Sequence, residues 1–347
     1  MSRLCYELWG MDFLNKISII VQMSENFWKG KKILVTGGAG FIGSYVAEQL
    51  LEKGARVAIT THTGNLKNVL HLINQIEIIQ ADLTKPADAL KATEGQAVVF
   101  NLASKVAGIQ FNVNHPATMF SDNIQIAQNI IQASLKNKVE RLMITSSVCV
   151  YPRFVTIPTP EEEGFLNDPE PTNLGYGWAK RVEELMVRFY HLEYGMKIAL
   201  PRPLNTYGPR DDFNPETSHV IPGIIKRVFE GEDPLVVWGS GKQTRSFLFA
   251  EDFARGLLEI TEKYPEADPV NIGTDEEITI GELAKLIVDI FGKDVKIKFD
   301  KTKPDGQPRR NAATQKARQK IGFEARVNLQ EGLRKTIAWY KEKYIEH

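Results

Sequence analysis

KILVTGGAGFIGSYVAEQLL, residues 32–51, joins an apolar, β-branched run to a helical pattern through a glycine-rich turn. Gly37, Gly40 and Gly43 are spaced three and three, and Gly38 adds a fourth glycine. Glycines allow a tight turn and a close approach to a pyrophosphate, which the first amides of the next helix can bind. With 26 glycines in the chain, a plain tight turn is the alternative. The place of the triplet between the first strand and the first helix favours dinucleotide binding.

The alternation of strand and helix continues beyond this turn. Apolar residues recur at helical spacing over 41–53, 118–136 and 174–194. The short apolar runs are KILVT, RVAIT, IEIIQ, AVVFNL, RLMITSS and KIALPR. Apolar strands that alternate with helices are typical of a parallel sheet buried on both faces. The sequence therefore predicts an α/β fold, a Rossmann-type doubly wound parallel sheet with a smaller C-terminal substrate-binding lobe.

The smaller lobe is predicted from a change of pattern after about residue 205, where Pro- and Gly-rich loops separate short helices at 279–292 and 328–343. Such loops favour a lobe that closes over a pocket. We expect a loosely attached N-terminal extension, a dinucleotide-binding domain and a substrate-binding lobe. Their predicted boundaries are, in that order, 1–30; 31–205 with 242–262; and 206–241 with 263–347.

The composition limits the possible partners. Lys plus Arg and Asp plus Glu number 43 each in 347 residues, so no long-range field attracts nucleic acid or an acidic membrane. Cys5 and Cys149 provide neither a disulfide framework nor a metal-ligand cluster, which predicts a reducing, cytoplasmic setting and no metal site. The N-terminal run ISIIV is far shorter than the roughly 20 residues of a membrane span. Residues 1–22 are interpreted as a loose arm or as the product of an upstream start.

The end of the second strand, ARVAITTHTGN, bears on the choice of cofactor. In NAD-binding sheets this strand normally ends in an acid that binds the adenosine ribose, and here Thr61 stands in that place. His62, Arg56 or Lys67 could instead contact a 2′-phosphate. NADP is therefore favoured, and NAD stays open.

TSSVCVY, residues 145–151, ends a predicted strand and carries Ser147 and Cys149. Residues two apart in a strand project to the same face, so the hydroxyl and the thiol should face one pocket. Tyr176 and Lys180, at i and i+4 of a predicted helix, also share a face. An ammonium beside the phenol would lower the pKa of Tyr176 and suit it to carbonyl chemistry. The alternative for Cys149 is a core cysteine that fills a small hole.

These motifs together resemble the extended short-chain dehydrogenase/reductases, or NAD-dependent epimerase/dehydratase family, over residues 31–347. The shared motifs are TGGAGFIG, NLAS at 101–104, Ser147, YGWAK, RPLNTYGP and FLFAED. Within that family the chain is most similar to the GDP-L-fucose synthase branch, the 3,5-epimerase/4-reductases. The narrower motifs are SKVAGI, SVCVYP, DDFNPETSHVIPGIIKR, VVWGSGKQTRSF and KPDGQPRR.

The resemblance implies a reaction on GDP-4-keto-6-deoxy-mannose. Cys149 would remove the C3 and C5 protons, and His219 would return them on the opposite face. NADPH would then reduce C4, with Tyr176 giving the proton and Lys180 holding the nicotinamide ribose. Ser147 and Tyr176 would stabilise negative charge on O4. The alternative for His219 is a loop histidine that caps the following helix.

The resemblance also implies binding residues. The cofactor contacts would be Gly37, Gly40, Phe41, Ile42, Gly43, Thr61, Asp82, Leu83, Leu102, Ala103, Lys105, Tyr176, Lys180 and Pro203. Asp82 is interpreted as an adenine contact or as a turn or helix cap, and Lys105 as a pocket residue. The substrate contacts would be Asn205, Arg227, Trp238, Arg245 and Arg310. The arginines are either forks for a pyrophosphate or surface charges, and Trp238 either stacks on a base or packs the lobe.

Two other functions stay open. The GGAG loop resembles those of NAD-dependent 4-epimerases and dehydratases, so a nucleotide-sugar 3,5- or 4-epimerase that keeps NAD bound is the first alternative. A non-catalytic nucleotide sensor is the second, although Ser147, Tyr176 and Lys180 are all retained. The family also implies a homodimer through the helices near 118–136 and 174–194.

Overall fold

The computed structural model describes residues 27–106, 108–303 and 307–345. The predicted arm at 1–22, with its ISIIV run, lies outside these ranges. Across the described ranges, no helix is both long and apolar enough to cross a membrane.

Seven parallel strands form the central sheet of the larger lobe. In chain order they are β1 (Lys32–Thr36), β2 (Arg56–Thr61), β3 (Ile76–Gln80), β4 (Val98–Asn101), β5 (Arg141–Ile144), β6 (Ile198–Pro203) and β10 (Glu266–Ile272). Their order across the sheet is β10-β6-β5-β4-β1-β2-β3, the doubly wound arrangement with one strand added beside β6. The predicted α/β, Rossmann-type fold is confirmed.

Helices cover both faces of this sheet. They are α1 (Phe41–Glu52), α2 (Pro86–Thr93), α4 (Pro116–Lys136), α5 (Leu174–Tyr194), α7 (Ala250–Lys263) and α9 (Gln315–Ile321), while the short α3 (Ile109–Asn114) packs against α4 and α5. α1 and α7 pack over one core, while α2, α4 and α5 pack over the other. Because both faces are covered, β1 buries Ile33, Leu34 and Val35 in succession. The helices predicted from apolar spacing end within two residues of the observed bounds.

The smaller lobe has its own core of short strands and three helices. β9 (Thr244–Phe249) pairs with β7 (Asn205–Tyr207), β11 (Glu277–Thr279) and β13 (Arg309–Arg310), and β8 (Leu235–Trp238) pairs with β12 (Ile297–Asp300). The helices are α6 (Val220–Phe229), α8 (Ile280–Phe291) and α10 (Leu329–Ile345). α8 starts where it does because Thr279 and Glu282 form a capping box.

Two strands belong to a different lobe from the one that the predicted domain boundaries assign to them. β10 falls in the range 263–347 expected for the smaller lobe, but it pairs in parallel with β6 in the large sheet. β9 falls in the range 242–262 expected for the larger lobe, yet it is a strand of the small sheet. The partners of both strands are distant in sequence, and hydrophobic patterning does not reveal which sheet a strand joins.

The last residues of the predicted loose extension pack on the larger lobe. Trp28 is fully buried there, and Phe27 lies against the same core. The indole Nε1 of Trp28 donates a hydrogen bond to Glu262 Oε2 at 3.1 Å. Because the buried indole removes a large apolar surface from water, residues 27–30 are part of the folded lobe.

Candidate active site

The candidate site lies at the carboxyl ends of β1, β4 and β5, where the winding of the sheet changes direction. In doubly wound sheets this crevice is the place for a ligand. The smaller lobe faces it through β13, since Arg310 donates to the sulfur of Cys149 at 3.3 Å. Residues of both lobes therefore line one cleft.

The glycine turn between β1 and α1 has the shape of a phosphate cradle. Gly37 has φ +64°, and a Cβ there would lie 3.2 Å from the Ala103 backbone. A Cβ on Gly43 would lie 2.3 Å from the Gly37 carbonyl oxygen, so α1 can pack this closely only with glycine. Gly40 is the N-cap of α1 and has no side chain to occupy the first amides. These amides fit the pyrophosphate of a dinucleotide.

Thr36 links this turn to the end of β4. Its hydroxyl donates to Asn101 Oδ1 at 2.8 Å and accepts from the amides of Leu102 and Ala103 at 3.1 and 3.0 Å. Leu102 and Ala103, predicted cofactor contacts, are thereby held beside the glycine turn. Thr36 and Asn101 begin the TGGAGFIG and NLAS motifs but were not among the predicted site residues. Their position at the ends of two apolar strands was a further signal.

The ends of β2 and β3 flank the turn. Thr61 ends β2, and its hydroxyl accepts from the Gly64 amide at 3.1 Å. Arg56 is the first residue of β2 and so lies at the opposite edge of the sheet, ~16 Å away at the usual rise per residue. It is too far for the 2′-phosphate contact that the sequence suggested, whereas His62 and Lys67 follow the strand and are exposed.

Asp82 and its neighbours shape the turn after β3. The carboxylate of Asp82 accepts from the amide and hydroxyl of Thr84 at 3.2 and 2.6 Å. The hydrogen bond from the Thr84 hydroxyl holds the pKa of Asp82 below its ordinary value. Asp82 therefore has the turn-stabilising contacts expected of a cap. Leu83, beside it, is buried, and its carbonyl accepts from Asn129 of α4 at 2.9 Å.

Ser147 and Cys149 do not lie in a strand, so the prediction that strand alternation aligns them is wrong. β5 ends at Ile144, and residues 148–150 form a 3₁₀ turn. Ser147 caps this turn, because its hydroxyl accepts from the Cys149 amide at 3.1 Å. The short polar side chain competes successfully with strand geometry at this point. The turn, and not a strand face, keeps the two residues close together.

α5 brings Tyr176 and Lys180 to this turn. A Cβ on Gly177 would lie 2.5 Å from the Cys149 carbonyl oxygen, so glycine permits the close approach of the helix. Lys180 Nζ lies 5.6 Å from the centre of the Tyr176 ring and donates to the Thr145 carbonyl at 2.9 Å. Gly177 was missed by sequence reasoning, although it stands between the two residues that were singled out.

The net pKa shift of Tyr176 is opposite to the predicted one. Burial raises the pKa of the phenol, and this outweighs the lowering by the Lys180 ammonium and by a hydrogen bond with Ser104. Tyr176 consequently holds its proton at neutral pH, which suits a proton donor. Ser104 belongs to the NLAS motif but was not among the predicted site residues.

Arg310 contacts the thiol of Cys149, and its charge also acts on His219. His219 is the N-cap residue of α6, but its carbonyl and not its ring accepts the amide of Gly223 at 3.0 Å. His219 is an exposed residue, but neighbouring protein atoms partly desolvate its imidazole. This desolvation lowers the pKa of His219; Asp212 opposes the shift and the Arg310 charge adds to it. The imidazole is therefore mostly neutral at neutral pH.

The predicted substrate residues differ in their surroundings. Burial, with the nearby Arg310 charge, lowers the pKa of Arg245 to about 10, and its guanidinium donates to the Gln307 carbonyl at 2.8 Å. Arg227 is held by the carbonyl of Val236 at 2.6 Å and by Glu232 at 3.3 Å. Arg245 and Arg310 form a cationic pair in the cleft.

The remaining predicted contacts lie in strands, helices and loops of both lobes. Trp238 is 62% exposed, and Asn205 donates to the Ser246 carbonyl at 3.0 Å. Lys105 Nζ pairs with Asp122 at 2.8 Å. Pro203 ends β6, and Phe41 and Ile42 begin α1.

Comparison with known proteins agrees with this geometry. A model of the NAD dependent epimerase/dehydratase family matches residues 33–273. The chain belongs to this family. It is a nicotinamide-dependent enzyme of the nucleotide-sugar epimerase and reductase type, and the resemblance seen in the motifs is confirmed. A probable GDP-L-fucose synthase of Oryza sativa subsp. japonica is 35% identical over 325 residues, which cover 91% of this chain and 94% of the relative.

Solved structures of two family members superpose closely on this chain. The UDP-glucose 4-epimerase of Thermotoga maritima, with UDP-glucose, has a TM-score of 0.82 and 29% identity, covering 90% of this chain and 99% of its own. A GDP-L-fucose synthetase of Naegleria fowleri has a TM-score of 0.77 and 26% identity, covering 91% and 94%. The family fold therefore extends over both lobes.

Proposed function

We propose that this enzyme converts GDP-4-keto-6-deoxy-mannose by 3,5-epimerisation followed by NADPH-dependent reduction at C4. The observation that carries the proposal is the sulfur of Cys149, 3.3 Å from the Arg310 guanidinium and beside the Tyr176 and Lys180 pair. A reductase alone needs no thiol at this point. The identity to the rice GDP-L-fucose synthase supports the same substrate.

The epimerisation depends on the acidity that the C4 carbonyl confers on C3 and C5. Cys149, as thiolate, takes a proton from the sugar carbon, and the electron pair moves into the carbonyl to give an enolate at O4. The Arg310 guanidinium offsets the negative charge of the thiolate. The protonated form of His219, from α6 of the other lobe, returns a proton to the opposite face. Water then takes the proton from the thiol and reprotonates the imidazole, and repetition at the second carbon inverts both centres.

Other residues of the same site then serve the reduction. The glycine cradle would hold a nicotinamide dinucleotide, which when bound would supply the hydride for C4. Tyr176 gives its proton to O4, and the Ser147 hydroxyl donates a hydrogen bond to that oxygen as charge develops. Lys180 would bind the nicotinamide ribose through the N–H that is not directed to Thr145 or Glu183.

The second lobe is proposed to hold the substrate's diphosphate and base. The charge of Arg310 contributes to the lowered pKa of Arg245, so the two side chains are close, and two cationic forks suit a pyrophosphate. Trp238, being exposed, offers an aromatic surface on which a base can stack. Arg227 is already paired with Glu232, so it would bind the diphosphate while it keeps this ion pair.

NADPH is proposed over NADH because β2 ends without a carboxylate. Thr61 stands at that end, while His62 and Lys67 follow it as exposed groups. A 2′-phosphate is compatible with hydroxyl, imidazole and ammonium neighbours, whereas the ribose hydroxyl of NAD lacks its usual acceptor.

The decisive experiment is incubation with GDP-4-keto-6-deoxy-mannose and either NADPH or NADH. We expect consumption of the reduced cofactor, faster with NADPH, and a product inverted at C3 and C5 and reduced at C4. Isotope exchange from deuterated water at C3 and C5 should precede reduction. Reduction without inversion would contradict the role of the thiol.

A nucleotide-sugar epimerase, 3,5- or 4-, with tightly held NAD is the second candidate. It is favoured by the GGAG turn and by the structural likeness to the Thermotoga maritima 4-epimerase. This candidate predicts that purified enzyme carries NAD and interconverts nucleotide sugars with no net consumption of reduced cofactor. The supernatant of denatured protein, analysed for bound dinucleotide, separates the two candidates.

A further inference from the structure

Lys180 has an acidic partner that the proposed mechanism does not use. Glu183 follows it at i+3 on α5, and the side chains are 4% and 1% exposed. Lys180 Nζ lies 2.9 Å from Glu183 Oε2 and 2.9 Å from the Thr145 carbonyl oxygen. The ammonium and the carboxylate thus form a buried pair beside the half-buried Tyr176.

The neighbouring residue, Glu184, forms a different kind of pair. Both its carboxylate oxygens accept from the Arg202 guanidinium, at 2.7 and 2.6 Å, and Ser146 donates to it as well. Such a fully bonded pair has a structural role. In contrast, Glu183 Oε1 is buried without a hydrogen-bond partner among the described residues. A buried carboxylate with an unused oxygen is unfavourable for stability, so the pair needs another explanation.

The geometry suggests that explanation. An ammonium has three N–H groups, and two of those of Lys180 are directed to Thr145 and Glu183. Because these two hydrogen bonds hold the ammonium, the direction of its third N–H is fixed as well. The Glu183 carboxylate, at hydrogen-bond distance in a buried place, also opposes the loss of a proton from the Lys180 ammonium.

We propose that Glu183 is a positioning residue, the buried counter-ion that keeps Lys180 charged and aimed so that the Tyr176 and Lys180 pair retains both protons for the reduction. This inference rests on the proposed function for its catalytic consequence, but the protonation of the pair can be measured without substrate.

The surrounding charges agree with this role. Burial alone would lower the pKa of Lys180, but Glu183 and Tyr176 raise it above its ordinary value. Burial raises the pKa of Tyr176 most, and the charges of Cys149 and Glu183 also raise it. Burial raises the pKa of Glu183 itself to about 7, although Lys180 acts to lower it and Glu184 to raise it.

The charged and titrating groups around the Tyr176 and Lys180 pair, among the described residues, come from two elements. Tyr176, Lys180, Glu183 and Glu184 belong to α5, and Cys149 belongs to the turn after β5. The carboxylate at 2.9 Å from Nζ is the closest opposite charge, so we take the charged form of Glu183 as the partner of the ammonium.

The test is Glu183→Gln, which keeps the volume and removes the charge. Removing a negative charge lowers the pH at which the coupled pair loses its first proton, whichever group holds it. We expect the alkaline limb of kcat for reduction to move to lower pH by about one unit. The same shift should occur in a substrate-free titration, read as the tyrosinate difference spectrum between each enzyme and its Tyr176→Phe counterpart.

Glu184→Gln is the matched control, because Glu184 is adjacent, equally buried and paired elsewhere. It should lower the thermal midpoint and leave the alkaline limb in place. If Glu183→Gln disturbs folding, Glu183→Met repeats the measurement without a polar atom in the space. An unmoved titration in the folded Glu183 variant, or an equal shift in Glu184→Gln, would overturn the inference. If the sugar is not turned over at all, the proposed function fails while the titration still decides the role of Glu183.

Discussion

Cys149 and Tyr176 lie within electrostatic reach of each other, and the proposed reaction gives them opposite proton tasks. The thiol must lose its proton to act on C3 and C5, whereas the phenol must keep its proton until hydride arrives. The structure separates these tasks through their neighbours. Arg310 contacts the sulfur, and burial holds the proton on the phenol.

Replacing Cys149 with serine should remove the epimerase half-reaction. A hydroxyl is a far weaker base than a thiolate, so deuterium exchange at C3 and C5 should fall by ~10² or more. Cofactor affinity should be unchanged, since the glycine cradle is untouched. Proton NMR of the sugar in deuterated water measures the exchange, and an exchange rate equal to that of the unmodified enzyme would refute the role of the thiol.

Tyr176→Phe should give the complementary result. Exchange at C3 and C5 continues because Cys149 and His219 are intact, while reduction falls by ~10²–10⁴ with the loss of the proton donor. Loss of NADPH absorbance reports reduction, and NMR reports exchange in the same sample. Normal oxidation of NADPH by this variant would show that another group donates the proton.

At the scale of elements, two glycines set how closely helices approach the site. Gly43 lets α1 pack on the phosphate turn, and Gly177 lets α5 pack on the Cys149 turn. In both places an added Cβ would meet a backbone carbonyl oxygen at 2.5 Å or less, which a side-chain rotation cannot relieve. Each helix therefore delivers its functional residues only if this position stays glycine.

Gly43→Ala and Gly177→Ala should consequently damage different functions. Each should destabilise the protein by ~1–3 kcal/mol through overpacking. Gly43→Ala should weaken dinucleotide binding, whereas Gly177→Ala should impair exchange and reduction with a smaller change in cofactor affinity. Fluorescence titration with NADPH and the two activity measurements distinguish them. Gly223→Ala, whose Cβ would first meet the Ser218 hydroxyl at 3.3 Å, is the control and should change little.

At the scale of the whole molecule, the cleft exists because the chain alternates between the lobes. β10 returns to the large sheet after β9 has joined the small one. Arg310 then lies on β13, paired in parallel with Arg245 of β9, and reaches the turn after β5. A substrate in this cleft would contact both lobes.

The homodimer predicted through α4 and α5 has an exposed apolar surface that suits it. Phe120 of α4 is 37% exposed, and Phe189 and Leu192 of α5 are 58% and 79% exposed. Phe189→Glu with Leu192→Glu should convert a dimer to a monomer, measured by analytical ultracentrifugation. Leu70→Glu, at a site 63% exposed and outside these helices, is the control. A monomeric unmodified enzyme would contradict the prediction.

Much of the site was accessible from local sequence. The glycine turn follows from its place between β1 and α1, and Tyr176 and Lys180 share a helix face at i and i+4. Alternating apolar runs and helical spacing likewise predicted six strands of the large sheet and the main helices. These features depend on backbone periodicity, which neighbouring residues determine.

Other features depend on contacts that only folding creates. The Arg310 and Cys149 contact joins residues 161 positions apart, and the sheets that receive β9 and β10 depend on distant partners. The upward shift in the pKa of Tyr176 depends on burial, which outweighed the charge of Lys180 that the sequence revealed. Motif and spacing thus determined the family and its chemistry. The tertiary structure decided proton affinities and the joining of the lobes, because desolvation and long-range packing have no local pattern.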